Sequence, residues 1–429
     1  MQYSAETLAF ASELAEEIKV HNFRFFQATQ QEGERARNNF QRDYARILYS
    51  SSFRRLQGKM QLLGIDHAHF HRNRLTHSLE VAQIARSIAD KLCVPDHIVV
   101  EACSLAHDLG NPPFGHQGEV HLNLLAADIG GFEGNAQTFR ILHHLEKKSY
   151  GYRGLNLTFR TLLGVTKYFN TKETNPKKFI YDDDYQILNR QFESLELQHR
   201  RSIDVQIMDI SDEIAYAAHD LEDSLSFGLV TIDELLYEFK ISEKYNSAFD
   251  QLSSIVKACQ KFGFDSSNLG SSEEYSFLFR KELTSKLVNN LVNDIGLSTS
   301  ESDTESKLTF LTLGLLSEGL KKLLFKAILR KKSIQRYEKM GEKVIKGLFE
   351  VYNDREYNKE NMLLPPEYRH SQTDVDRKRH IIDYIAGMMD SYAIQEYKKY
   401  FGSNSLDTLY PVDHSKQNLS QPCNLAAGE

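Results

Sequence analysis

The segment "SLAHDLGNPPFGHQGE" (104–119) sets His107 beside Asp108, then two consecutive prolines at 112 and 113, then His116 and Glu119. Imidazoles and carboxylates gathered this closely are the groups that move protons and ligate divalent metals. Two other stretches carry the same residue types. In "RLTHSLEVAQIARSIADKL" (74–92), His77 stands four residues before Val81, on the apolar stripe Val81, Ile84, Ile88, Leu92 that a helix turns inward. In "DISDEIAYAAHDLED" (209–223), Asp212, Tyr216 and Asp220 recur at steps of four, about 200° around from the stripe Ile210, Ile214, Ala217, Leu221. Each residue alone has a plainer reading, an inward histidine as a hydrogen-bonded core residue and a helical acid as solvated surface. Together, His77, His107, Asp108 and Asp212 form a mixed nitrogen and oxygen donor set suited to Mn, Fe, Zn, Ni or Mg.

The elements that must position these groups read as helices. Eight prolines occur, none between Pro176 and Pro365, so nearly half the chain runs without this breaker. Apolar residues recur at three and four, as in Val99, Ala102, Ala106 and Leu109, and strand-like alternation is scarce. His107 lies on the line Val100, Cys103, His107 of a helix that Gly110 is suited to cap. "KKFIYDDDY" (177–185) reads as a short β-hairpin or an exposed loop. The stretches 265–274 and 296–307 read as surface loops, and the chain from Pro411 as a polar tail. The expectation is an all-α, multi-helical fold with an N-terminal segment (1–42), a catalytic core (43–227) and a C-terminal helical region (228–429) that completes the site or an oligomer contact.

Composition narrows the class. The 429 residues are 41% hydrophobic with a formal net charge of -7, which supports a large core and argues against wholesale coating of nucleic acid. Cys93, Cys103, Cys259 and Cys423 are widely spaced, as in a reducing cytoplasm. No stretch reaches the roughly 18 uninterrupted apolar residues of a membrane span, and no targeting signal is expected.

The three blocks, in this order, resemble the H…HD…D signature of HD-domain phosphohydrolases, and more narrowly the bacterial deoxyguanosine triphosphate triphosphohydrolases and related dNTP triphosphohydrolases. The likeness takes in "QRDYARILYSSSFRRLQGKMQL" (41–62), "GFEGNAQTFRIL" (131–142), "LTFRTLLGVTKY" (157–168) and "RHIIDYIAGMMDSYA" (379–393). It implies His77, His107, Asp108 and Asp212 as ligands of a divalent ion, Mn2+ or Mg2+ first and Fe, Ni, Co or Zn after them. It also implies a homo-oligomer, a tetramer or hexamer, and hydrolysis of a dNTP between the α-phosphorus and the 5′ oxygen to deoxynucleoside and inorganic triphosphate. Some relatives respond to an allosteric nucleotide or to single-stranded DNA, so the resemblance admits either as a further partner.

That reaction needs an activated water, compensation of phosphate charge and a proton for the departing 5′ oxygen. The rigid Pro112–Pro113 path can deliver His116 as proton donor, with Glu119 three residues on to orient its ring and favour the imidazolium. The plainer reading is that His116 and Glu119 cap the next helix. Arg74 shares the His77 face at the helix start and can reach a phosphate. By similarity Lys167, Tyr168 and Tyr216 face phosphate and sugar, Gln61 and Asp220 the 3′ hydroxyl, and Asn111 stands where some eukaryotic relatives have a second catalytic-site histidine. Glu213 occupies the place of a phosphate-binding lysine in those relatives, so that contact must come from elsewhere. His67, His69 and His71 read as an entrance loop rather than an extra metal site. The rival readings are a phosphodiesterase or alarmone hydrolase on the same ligands, or a catalytically silent nucleotide sensor or nucleic-acid-binding protein.

Overall fold

The computed structural model describes residues 2–26, 36–61, 72–298, 306–407 and 409. His67, His69 and His71, Cys423 and the tail from Pro411 lie outside the described residues. The fold is all-α. The N-terminal part runs through Ala5–Ile18 (α1), Asn39–Leu48 (α2), Ser51–Arg55 (α3), Arg74–Lys91 (α4), Ile98–Ala106 (α5), Gly115–Leu125 (α6), Gly134–Arg140 (α7), Phe159–Val165 (α8), Asp182–Ser194 (α9) and Ile203–Ser226 (α10). The C-terminal part adds Ile232–Ile241 (α11), Phe249–Phe264 (α12), Ser272–Asn293 (α13), Gly314–Leu329 (α14), Lys332–Asn353 (α15), Pro366–Arg369 (α16), Asp374–Ala386 (α17) and Asp390–Phe401 (α18). Among the described residues the only strands, Ile295–Leu297 (β1) and Leu308–Phe310 (β2), form one antiparallel pair with Gly296 opposite Thr309. No described helix is long and apolar enough to cross a membrane.

Local chemistry sets where the helices begin. Asn73 accepts from the Thr76 amide and Thr76 returns a bond to the Asn73 amide, a reciprocal cap that starts α4 one turn before His77. Ser202 caps α10 through the Val205 amide. "KKFIYDDDY" forms no hairpin. Phe179, Ile180 and Tyr181 are buried extended backbone, and Asp182, Asp183 and Asp184 open α9, where three acids meet the positive end of the helix dipole. Gly110 is not a left-handed cap either. A Cβ there would lie 2.0 Å from the Gly134 carbonyl oxygen, so glycine is required by the close approach of α7.

Three large apolar clusters and a small fourth one fill the described interior. The first joins α1, α4, α10 and α11 to α14, the second α2, α5, α8 and α9, and the third α6, α15, α17 and α18. α10 runs through the first cluster, with 18 of its 24 residues buried. Its acidic ridge is therefore not solvated: Asp212 and Asp220 are buried like the apolar stripe behind them.

The second and first clusters are tied by an ion pair. Arg160 of α8 and Asp204 of α10, both wholly buried, share two hydrogen bonds of 2.9 and 3.0 Å, and Arg160 also donates to the Pro95 carbonyl. Replacing Asp204 with alanine leaves the buried guanidinium only the Pro95 carbonyl and Asp96, 3.5 Å from its Nη1, so a loss of about 3 kcal/mol in unfolding free energy is expected by denaturant titration.

Candidate metal centre and active site

His77 comes from α4, His107 from the residue that ends α5, and Asp212 from the middle of α10. One ligand atom from each lies within 4.8 Å of the others, and all three residues are buried. The Asp212 Oδ1 atom is the focus, 3.0 Å from His77 Nε2 and 3.4 Å from His107 Nε2. His107 Nδ1 lies 2.6 Å from the Ser104 carbonyl oxygen. A carbonyl can only accept, so Nδ1 carries a proton and Nε2 is the nitrogen turned toward the centre. His107 Nε2 has no hydrogen-bond partner, nor has His77 Nδ1. Buried nitrogen atoms without partners and a carboxylate of mixed surroundings are the donor set a borderline divalent ion takes.

Asp108 flanks this trio rather than joining it. Its Oδ1 lies 3.5 Å from His107 Nε2, while Oδ2 accepts from Arg74 Nη1 at 2.7 Å and Oδ1 from the Asn111 amide. Arg74 is buried, so in this structure it meets Asp108 first. Lys167 behaves the same way: its Nζ donates to Asp212 Oδ2 at 2.9 Å and lies 3.2 Å from Asp209. Burial opposes every charge here, yet the pairings outweigh it. Lys167 is held well above the ordinary lysine range by Asp212 and Asp209. Asp212 is held well below the carboxylate range by Lys167 and His107, and Asp108 is lowered by His107 and Arg74.

The loop after α5 leads to the second group of candidates. Pro112, Pro113 and Phe114 are buried, Phe114 and Gly115 take left-handed backbone with φ of 64° and 58°, and α6 begins with His116 exposed at its start. His116 Nδ1 lies 3.5 Å from Glu119 Oε2, and Glu119 Oε1 accepts from the Gly134 amide at 2.9 Å. The bond to Glu119 raises His116 above its ordinary value against burial; burial acts against Glu119, but its bonds to His116 and Gly134 keep it low. This turn borders the residues that flank the trio: a Cβ on Gly115 would lie 3.6 Å from Arg74 Nη2, and one on Gly134 3.5 Å from both Asn111 Oδ1 and Glu119 Oε1.

Tyr216 packs its ring 5.1 Å from that of His77, and Lys321 of α14 places its Nζ over the same ring at 4.4 Å from the centroid. Gln61 has both amide atoms buried without a partner, and Asp220 Oδ1 is likewise unpaired. Sequence reasoning missed Lys178. It donates to Glu133 at 2.9 Å, lies 5.4 Å from the Tyr168 ring centroid and raises the positive potential at Glu119. No spacing rule singles it out, because it reaches this place from an irregular segment.

An all-helical chain with a buried His–His–Asp centre is the architecture of the HD phosphohydrolases. The HD domain model matches residues 74–217 and that of the phosphohydrolase-associated domain residues 314–399. The chain is 55% identical over 409 residues to deoxyguanosinetriphosphate triphosphohydrolase-like protein 2 of Vibrio cholerae, covering 95% of this chain and 99% of that protein. It is 36% identical to the deoxyguanosinetriphosphate triphosphohydrolase-like proteins of Shewanella sediminis and Shewanella baltica, covering 85% and 86% of this chain and 92% and 94% of theirs. The chain belongs to this deoxyguanosinetriphosphate triphosphohydrolase-like family of HD-domain proteins.

His77→Ala and Asp212→Ala are each expected to weaken Mn2+ binding by more than about 100-fold in calorimetric titration, beyond what loss of a supporting residue costs. Unchanged affinity would place the ion elsewhere.

Proposed function

We propose that the protein hydrolyses deoxynucleoside triphosphates to deoxynucleoside and inorganic triphosphate with a divalent ion held by His77, His107 and Asp212, and by Asp108 as the fourth ligand. The observation that carries this reading is the buried donor trio with the His116–Glu119 pair on the neighbouring turn. Arg74 and Asn111 both bond Asp108, next to His107, and border Gly115 and Gly134, the backbone beside His116 and bonded to Glu119. The chemistry a divalent ion supplies in such a centre is Lewis acidity toward a phosphate oxygen and a lowered pKa for water.

The chain's own residues supply the rest. His116, whose protonated form the bond to Glu119 favours, gives its proton to the departing 5′ oxygen, which would otherwise leave as a strongly basic alkoxide. Arg74, Lys167, Tyr168 and Lys178 border the centre as donors for a triphosphate, and their buried or half-buried placement strengthens each contact relative to water. Lys321, over Tyr216, offers the cation that Glu213 does not. The unpartnered Gln61 amide and Asp220 carboxyl match a sugar hydroxyl, which can donate and accept. Satisfying a stranded buried group is worth about 1–3 kcal/mol. Burial, with Asp223 and Asp212 nearby, raises Asp220 well above the usual carboxylate range, which suits it to donate as well. The Vibrio and Shewanella relatives carry names that point to the same substrate class.

Incubation with each dNTP and Mn2+ in 18O-water is expected to release inorganic triphosphate bearing the label, read by mass spectrometry. Pyrophosphate or a nucleoside monophosphate as product would defeat the reading. His116→Ala is expected to lower kcat by about 10²–10⁴-fold. A proton donor works below its pKa, so activity should fall as pH rises through the raised His116 value. Glu119→Gln removes the charge that raises it, and should move that alkaline limb to lower pH.

A further inference from the structure

The turn that carries His116 is gripped from the C-terminal helices by one buried carboxylate. Phe114 is in the left-handed region, a conformation a phenylalanine keeps only where its surroundings enforce it. Two contacts do so. Its ring is buried in the third apolar cluster, 5.5 Å from the Tyr337 ring, and Gly341 of α15 leaves the room: a Cβ there would lie 2.6 Å from Phe114 Cγ. Its amide donates to Asp390 Oδ1 at 3.1 Å.

Asp390 opens α18 and is only 2% exposed, but its side chain caps no helix amide of its own. Its other oxygen, Oδ2, accepts from the Met60 amide at 3.0 Å and from the Tyr337 hydroxyl at 2.7 Å. Met60 in turn pairs across an isolated bridge with Asn73, the residue that caps the His77 helix. One carboxylate thus joins the turn before His116, the approach to His77 and α15. Beside it, buried Lys59 donates to the carbonyls of Asn111 and Ala386, linking the same loop to the end of α17. Tyr337, Ala386 and Asp390 all lie within the 314–399 match, a region that contributes none of the metal-centre trio.

We propose that Asp390 is a positioning residue of the catalytic turn: by accepting from Phe114, Met60 and Tyr337 at once, it holds the left-handed step that aims His116, and so gives the associated domain a direct part in catalysis. This rests on His116 being the proton donor. A generic packing role would predict a different pattern. If Asp390 acts through His116, removing His116 leaves Asp390 nothing to position.

The test uses the full chain with Mn2+ and the four dNTPs, comparing Asp390→Asn, Tyr337→Phe, His116→Ala and the Asp390→Asn/His116→Ala double variant. Asp390→Asn keeps the volume and one acceptor oxygen; Tyr337→Phe removes a single donor and is the milder variant should the first fold poorly. Asp390→Asn is expected to lower kcat by about 10²-fold while KM stays within about twofold. The double variant should be no slower than His116→Ala alone. Hydrogen exchange of the amides in 110–119 should quicken by at least about tenfold, with 98–106 unchanged. Tyr337→Phe should show the same pattern with a smaller kcat loss. Losses that multiply in the double variant, or unchanged exchange in 110–119, would overturn the proposal. Failure of the wild type to release triphosphate from any dNTP would instead defeat the functional reading, and the grip on the turn is then decided by exchange, which needs no turnover.

Discussion

The structure is organised around a carboxylate that should not be comfortable where it is. Asp212 sits in the middle of a 24-residue helix that is buried along most of its length, and an unpaired charge there would be prohibitively costly. It is sustained by Lys167 on one oxygen and by two imidazoles on the other. Each partner comes from a different element, so the charge cannot be satisfied unless α4, α5, α8 with its following segment, and α10 are all in place. Buried ion clusters of this kind add little net stability but penalise every arrangement that separates their members. The polar centre therefore acts as a register pin for the helices that build it.

The apolar clusters divide the labour around that pin. The first two supply rigid walls: α4 and α10 share one core, α5 and α8 another, and the Arg160–Asp204 pair locks the two together just below the centre. The third cluster is built largely by the C-terminal helices and does something else. It receives the loop that leaves α5, burying Phe114, and so determines the direction in which α6 starts. The elements that carry His107 and His116 are thereby supported by different cores and joined by the eight residues 107–114. Small shifts of the third cluster against the other two would alter the placement of His116 without disturbing the trio.

Electrostatics around the centre are pre-arranged toward negative ligands. Arg74 is buried and Lys167 half-buried beside it, each engaged with a carboxylate, and Lys178 and Lys321 lie over the rings of Tyr168 and Tyr216. The stranded amide of Gln61 and the unpaired oxygen of Asp220 are polar groups that the folded chain leaves unsatisfied. Proteins seldom tolerate such groups except where something else completes them. In the proposed reaction a phosphate chain and a sugar hydroxyl are the groups that do.

Much of this was legible in residue order. Helical periodicity made the fold all-α, and the placement of His77 on an inward stripe, His107–Asp108 at a helix end and Asp212, Tyr216 and Asp220 at steps of four marked the centre, because local spacing and burial preference are properties of the chain itself. The "KKFIYDDDY" segment misled for a local reason: its β-like residues are extended but pair with no strand, and the acids after them begin a helix. Only tertiary structure decided the rest. Gly110 proved to be a point of helix contact rather than a cap, and Arg74 and Lys167 proved to be committed to carboxylates of the centre. Lys178 and Asp390 reach the site from distant segments with no periodic signal to announce them. Spacing along one helix reports which face a residue takes, but which partners meet across 100 or 300 residues depends on how separate cores pack, and that is settled by the folded whole.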